Sequence, residues 1–325
     1  MEVTYLQAIH DALQEEMRRD ESVFLLGEDI GVLGGAFKVT EGLYEEFGEQ
    51  RVLDTPISEL AIVGLAVGAS LIGMRPVAEM QFMDFISCGF DQIVNTAATM
   101  RYRYGGEVGV PMVIRGPCGG GVHGGLFHSQ MTEAWFYTVP GLKVVLPATA
   151  YDAKGLLKAA IRDDDPVLYY EHKYLYRRIK EDLPEDDFVV PIGQATVRRE
   201  GTDLTIVTYS AMVHQALAAA DRLADEGISA EVVDLRSVRP LDKETVLASF
   251  KKTNKALIAY EASKMGGVGA EVAAIIAEEA FEYLDGPIVR LACAESPVPF
   301  SAPMEKFYLP NVDDIVAAAT QLDAY

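Results

Sequence analysis

The chain has 325 residues, half of them hydrophobic, and 28 Lys and Arg stand against 49 Asp and Glu, for a formal charge of −21. That length suits two domains with sizeable cores at roughly 150 residues each, and the charge argues against nucleic acid as a partner, because phosphate contacts need a basic face that releases counterions. Three cysteines, Cys88, Cys118 and Cys293, with no C-x-x-C pair, favour a reducing compartment without a structural metal or iron–sulfur cluster.

In chain order, MEVTYLQAIHDALQEEMRRD reads as an amphipathic helix without the apolar core of a signal peptide. The longest uncharged stretch, Leu60 to Met74, falls short of the ~20 residues of a membrane span, so a cytoplasmic protein with no membrane role is expected. Apolar strands VFLLGED, RPVAEMQF, PMVIRG, LKVVLPAT and DPVLYYE alternate with helical stretches, among them 91–103 and 152–162. This is the pattern of an α/β fold whose mostly parallel sheet carries helices on both faces. KEDLPEDDFVVP at 180–191 is charged and proline-flanked and reads as a linker, giving domains 1–186 and 187–325. Beyond Gly193, strands DLTIVTYS, SAEVVDL, KALIAYE and PIVRLAC alternate with helices 211–226, 242–251 and 269–281, the first closed by Gly227, and a second parallel sheet follows. SKMGGVGAEV has Val272 where a dinucleotide fingerprint needs its third glycine, which discounts a nicotinamide cofactor.

The run DTPISELAIVGLAVGASLIGMRPVAEMQFMDF places one carboxylate, Glu59, at the mouth of an apolar helix. Thr55 and Pro56 supply an N-cap and a first-turn proline. With no polar face from Leu60 to Gly73, burial on all sides is expected. Burial raises a carboxyl pKa by up to ~3–5 units, making Glu59 a candidate proton donor; complementing the helix dipole is the plainer alternative.

Three further segments follow predicted strands, where open α/β sheets collect ligands. GEDIGVLGG offers Glu28 and Asp29, and EMQFMDF offers Gln81 with Phe82 and Phe85. RGPCGGGVHGGLFHSQ joins backbone-exposing glycines to His123 and His128, with Ser129 read as the cap of a short helix. Missing are a nucleotide-triphosphate loop, a G-x-S-x-G elbow, an H-E-x-x-H helix and the GDG signature that holds a metal-bound diphosphate in thiamine enzymes.

LGEDIGVLGGAFKVTEGL, RVLDTPISE, the glycine loop ending in FHSQ, PGLKVVLPATAYDAKGLLKAAIRDDDPV and AEVVDLRSVRPLD together resemble the beta subunit of the thiamine-diphosphate-dependent E1 component of 2-oxo acid dehydrogenase complexes, over nearly the whole chain. The resemblance implies a pyrimidine-binding thiamine diphosphate domain followed by a transketolase C-terminal-like α/β domain. It also implies an α2β2 heterotetramer whose alpha chain holds Mg2+ and the diphosphate, which agrees with the missing GDG, and a lipoyl-bearing E2 as acyl acceptor. By the same resemblance Glu59 hydrogen-bonds the aminopyrimidine N1′, Phe85 stacks on that ring, and Glu28, Ser58 and Gln81 line its pocket. The resemblance likewise makes His128 the beta-chain catalytic histidine, suited to protonating or orienting the substrate and to helping reductive acylation of the lipoyl group, in a substrate pocket with Phe82, Met83 and Asp84. Met112, Ala160, Ile161, Asp163 and Asp165 correspond to a structural monovalent cation site, K+ in this chain, and His123 has no counterpart role. The implied reaction is oxidative decarboxylation of a 2-oxo acid with acyl transfer to lipoyl-E2. MQFMDFISCGFDQIV, MRYRYGG and GGGVHGGLFHSQ lean toward 3-methyl-2-oxobutanoate and related branched-chain acids, while GVGAEV and RPLD point to pyruvate. A scaffold chain that only docks E2 is the non-catalytic alternative.

Overall fold

The computed structural model describes residues 2–325, and the chain divides into two units. One takes the chain up to Cys118 together with Trp135–Ile192, and the other takes Gly119–Ala134 together with Gly193–Tyr325.

In the first unit, β1 (Glu2–Thr4) leads into α1 (Tyr5–Arg19), whose cap is the Thr4 hydroxyl accepting the Gln7 amide. Next come β2 (Val23–Gly27), α2 (Leu43–Phe47), β3 (Val52–Asp54), α3 (Glu59–Leu71), β4 (Arg75–Glu79), α4 (Met100–Arg103) and β5 (Val113–Cys118). The unit ends with β6 (Lys143–Val145), α5 (Ala150–Arg162), β7 (Val167–His172) and β8 (Lys180–Asp182). The parallel sheet runs in the order β6-β7-β5-β4-β2-β3, with Gly27 level with both Asp54 and Glu79, so the ends of β2, β3 and β4 lie side by side. Every residue of β5 and β7 is buried, including Arg115, Glu171 and His172, as strands covered on both faces are. Helices α1 and α5 are joined by Lys154 and Lys158 donating to Glu15 and by Arg162 on Glu16. Within the sheet, the buried Arg115 guanidinium pairs with Glu79 and Glu171, and Glu171 also accepts the Tyr176 hydroxyl at 2.7 Å.

Three expectations are corrected here. The helix at 91–103 is broken into a π turn (Gln92–Thr96), a 3-10 turn (Ala97–Thr99) and α4; the Thr99 hydroxyl bonds back to the Asn95 carbonyl at 2.8 Å, a local competitor of the helical ladder. The charged 180–191 segment is not all linker. Its first residues form β8, antiparallel to β1, and its end stays with the first unit, where Phe188 stacks on Tyr151 and the Val190 amide bonds to the Gly155 carbonyl, so the units part after Ile192 rather than at 186. Helix α3 is not buried all round. Ile62, Val63, Ala66, Val67 and Ser70 face inward, while Leu60, Leu65 and Leu71 are 50%, 61% and 43% exposed, because this unit offers nothing to cover that side. Its cap is Ser58, without a side-chain bond, so Pro56 precedes the helix and Glu59 opens it.

The second unit holds β9 (Thr196–Arg199), β10 (Leu204–Thr208), α6 (Met212–Asp225), β11 (Ala230–Asp234), β12 (Ser237–Arg239), α7 (Lys243–Thr253), β13 (Ala256–Ser263), α8 (Val268–Glu279), β14 (Val289–Cys293), α9 (Ala302–Tyr308) and α10 (Val312–Asp323). Its sheet order is β14-β13-β10-β11-β9, parallel except for β9. Leu204, Ile206, Val232 and Leu257 pack against Ala216, Leu223, Ile315 and Leu322 of α6 and α10 to form the core. Gly227, at φ 87°, closes α6 as read. Gly267 and Gly269 have a packing reason: a Cβ on either would overlap the buried Tyr260 ring.

Candidate active site

The first unit gathers acids where β2 and β3 end. Glu28 directly follows β2 and is buried, and its Oε1 has no hydrogen-bond partner. Burial, then the neighbouring carboxylates of Glu59 and Asp29, raise its pKa, against the lowering effect of the Ser58 backbone amide. Glu59, half-buried, stands as the first residue of α3, where the helix dipole favours negative charge. Thr55, after β3, also carries a buried hydroxyl oxygen without a partner. Past β4, the Gln81 amide donates to Asp29 at 3.1 Å, and Asp29 holds the left-handed φ of 58° that turns the chain beside Glu28. Phe82 and Phe85 meet edge to face at 6.2 Å, with Phe37 edge-on to Phe82 at 5.6 Å. Met83 and Asp84 are buried in the 3-10 segment Met83–Gly89. Glu28, Ser58 and Glu59 thus converge, and Gln81 joins them through Asp29. A cavity of about 810 Å³ lies against the open side of α3, lined by Tyr44, Val52, Thr55, Pro56, Ala61 and Leu65 among others.

His128 belongs to the second unit, with the glycine loop. It is half-buried and ends the 3-10 turn Gly125–Phe127. Ser129 is buried, and the next turn begins only at Glu133, which corrects its reading as the N-cap of a short helix. The loop is held by three acids that the sequence did not single out. Glu261 accepts the Gly120 amide at 2.6 Å, Glu305 accepts the amides of Gly121 and His123, and Glu133 accepts the Tyr209 hydroxyl at 2.7 Å. Glu261 and Glu305 lie more than a hundred residues beyond the loop and have no local pattern that sets them apart from surface acids.

The residues matched to a monovalent cation site do come together, but their oxygens are engaged. The carbonyls of Ile161 and Asp163 accept from the Arg75 guanidinium at 3.0 and 2.8 Å. The Asp163 carboxylate takes Lys143, and that of Asp165 takes Arg101, each at 2.5 Å. The Met112 carbonyl accepts the Val167 amide. Ala160 lies at the buried end of α5, where its carbonyl accepts the Asp163 amide. As arranged, the carboxylates of this loop are paired with cations of the chain itself, and its carbonyls already accept hydrogen bonds. Among the described residues no group of three or more His, Cys, Asp or Glu could hold a metal ion, and no helix is long and apolar enough to cross a membrane.

An aminopyrimidine fits the first unit's site. Its ring presents both donors and acceptors, and Glu28 Oε1 and Thr55 Oγ1 are buried polar atoms without partners, one an acceptor and the other able to do either. Residues 1–178 match the transketolase pyrimidine binding domain family, and residues 193–315 match the transketolase C-terminal domain family. The 2-oxoisovalerate dehydrogenase subunit beta of Bacillus subtilis (strain 168) is 54% identical over 321 residues, 98% of each chain. The chain belongs to the E1 beta family of 2-oxo acid dehydrogenases. This E1 beta chain is also 49% identical to the pyruvate dehydrogenase E1 component subunit beta of the same organism, over 99% of this chain and 98% of that one. A solved split gene transketolase, an inactive beta4 tetramer, matches with a TM-score of 0.80 and 27% identity, covering 99% of this chain and 98% of that one.

Proposed function

We propose that this chain is the beta half of an E1 enzyme that oxidatively decarboxylates a 2-oxo acid and passes the acyl group to the lipoyl group of an E2, with 3-methyl-2-oxobutanoate (2-oxoisovalerate) and related branched-chain acids as substrates. The reading rests on the convergence of Glu28, buried with its Oε1 unpartnered, with Glu59 at the start of α3, in a chain 54% identical to a 2-oxoisovalerate dehydrogenase subunit beta. Thiamine diphosphate, when bound, supplies the electron sink that makes loss of CO2 possible. Glu28, Ser58, Glu59 and Gln81 hold its pyrimidine end, and Phe85 offers a ring face. Glu59 shares a proton with the pyrimidine N1′. Burial, then the Glu59 and Asp29 carboxylates, raise the pKa of Glu28, so Glu28 is the acid of this cluster that readily keeps a proton, and the first turn of α3 supplies positive potential beside Glu59. His128 orients or protonates the substrate.

The diphosphate and Mg2+ fall to an alpha subunit in an α2β2 assembly, which fits the missing GDG in this sequence. The same partner accounts for the uncovered apolar side of α3, since a contiguous exposed patch of this kind marks an interaction surface.

Glu59→Ala in the heterotetramer reconstituted with its alpha subunit removes decarboxylation while leaving assembly, read by size-exclusion chromatography, intact; unchanged turnover overturns the proton-sharing role. Pyruvate is the alternative substrate, supported by the 49% identity to a pyruvate dehydrogenase E1 beta chain. Apolar pockets separate acids that differ by a methylene or two by only ~10–200-fold, so kcat/KM measured for 2-oxoisovalerate and pyruvate side by side decides between them. Exclusive use of pyruvate reverses the assignment.

A further inference from the structure

Five side-chain rings of the first unit run in contact from its core to Phe85. Tyr5 and Tyr176 are buried with ring centroids 6.2 Å apart, and the Tyr176 hydroxyl is fixed by donating to Glu171 at 2.7 Å. Phe37 lies 5.5 Å from Tyr176 and meets Phe82 edge to face at 5.6 Å, and Phe82 meets Phe85 in the same way at 6.2 Å. These last three rings are half-buried. A ring with one side in water has room to turn, and an edge-to-face partner restricts it at a gain beyond the area covered.

Phe37 has no task in the reading above, yet its loop is built to present it. The loop joins β2 to α2 and turns sharply on both sides of Phe37, with Gly34 and Gly35 at φ 78° and 81° and Lys38 at φ 71°. The Phe37 carbonyl accepts the Arg177 guanidinium at 3.1 Å. The same loop also supplies Asp29, which accepts the Gln81 amide at 3.1 Å and whose carbonyl takes the Gly35 amide at 2.8 Å. It therefore grips the segment after β4 at two successive residues, Gln81 through Asp29 and Phe82 through Phe37. The Phe85 amide donates to the Phe82 carbonyl at 3.0 Å, which carries that position on to Phe85. With the two ring planes 88° apart, Phe82 leaves at least one face of Phe85 for another flat ring.

We propose that Phe37 is a positioning residue for the pyrimidine end of thiamine diphosphate, holding Phe82, and through it Phe85, in the orientation that receives the pyrimidine ring; this rests on the E1 reading above. Phe37 acts only through Phe82 and touches neither the diphosphate nor the substrate.

The test is calorimetric titration of the cofactor-free heterotetramer, reconstituted with its alpha subunit and Mg2+, with two ligands: thiamine diphosphate, and the diphosphate ester of its hydroxyethylthiazole half, which lacks the pyrimidine. Phe37→Leu keeps an apolar side chain in a surface loop, so size-exclusion chromatography shows the wild-type assembly. Its Kd for thiamine diphosphate rises about two- to tenfold, the range an aromatic pair commands, while its Kd for the thiazole diphosphate does not change. Phe37→Tyr keeps the ring and binds both ligands as the wild type does. Phe82→Leu raises the Kd for thiamine diphosphate at least as much, and the double leucine variant binds no more weakly than Phe82→Leu alone. An unchanged Kd in Phe37→Leu, equal losses for the two ligands, or losses that multiply in the double variant overturn the proposal. Wild-type heterotetramer that binds no thiamine diphosphate defeats instead the E1 reading beneath it.

Discussion

Glu133 closes the glycine loop from inside the second unit, and its ionisation makes a measurable demand on stability. It is fully buried, Oε1 accepts the Tyr209 hydroxyl at 2.7 Å and Oε2 has no partner. Burial, with a further push from the Glu261 carboxylate, moves its carboxyl from the ordinary 4.5 to about 7. An acid whose pKa is higher folded than unfolded keeps its proton on folding, so between 4.5 and 7 the native state binds more protons and stability falls as pH rises. At about 1.4 kcal/mol per pH unit the loss reaches roughly 3 kcal/mol above pH 7. Glu133→Gln keeps the shape and the acceptor for Tyr209 but cannot ionise. At pH 8 the variant is more stable than wild type by up to about 3 kcal/mol, and near pH 5.5 the advantage shrinks to about 1 kcal/mol. Urea unfolding of the purified chain at the two pH values, followed by far-UV circular dichroism and read as midpoint shifts at constant slope, measures both. A gain that does not vary with pH, or a loss at pH 8, refutes the buried ionisation.

Arg115→Met leaves Glu79 and Glu171 buried without their cation and costs about 3–5 kcal/mol. Burial already raises the Glu79 pKa, so part of the loss returns as pH falls and the carboxyls take up protons, which thermal unfolding at pH 5.5 and pH 8 detects. Gly269→Ala drives a methyl into the Tyr260 ring and lowers the thermal midpoint of the second unit, with a cost on the order of 1–3 kcal/mol. Because Arg75, Lys143 and Arg101 already engage the oxygens of Ile161, Asp163 and Asp165, exchanging KCl for NaCl at equal ionic strength leaves the thermal midpoint unchanged; a K+-specific rise shows those oxygens open to the ion.

What the sequence made legible was set by local physics. VFLLG and VLYY read as strands because parallel strands covered on both faces carry such apolar runs, and Gly227 read as a helix end because only glycine takes that φ without strain. The acids of this cluster were equally plain, since strand ends collect ligands and Glu28 follows β2, while Glu59 stood out as the one charge at the head of an apolar helix. The supports of the glycine loop were not. Glu305 meets His123 across 182 residues, and an acid at the start of a short helix looks the same whether it faces water or a buried amide. The break at 91–103 was hidden for a related reason, because a hydroxyl that bonds back to its own turn leaves the apolar period untouched.

Helix α3 shows where pattern and structure part for a deeper reason. Hydrophobic periodicity reports which faces avoid water, not which chain keeps water away. After Glu59 the helix contains no charged residue, yet it buries only the side of Ile62, Val63, Ala66 and Val67, while Leu60, Leu65 and Leu71 stay open, Leu65 beside a cavity of about 810 Å³. Covering such a face contributes about 25 cal/mol for each Å² of apolar surface removed from water. Covering it also narrows the solvent around Glu59, at the head of the same helix, strengthening whatever proton it shares. If a partner supplies that cover, assembly and activation of the carboxylate are one event, and substitutions on the open side, such as Leu65→Asp, weaken assembly and decarboxylation together. Loss of one with full retention of the other separates them.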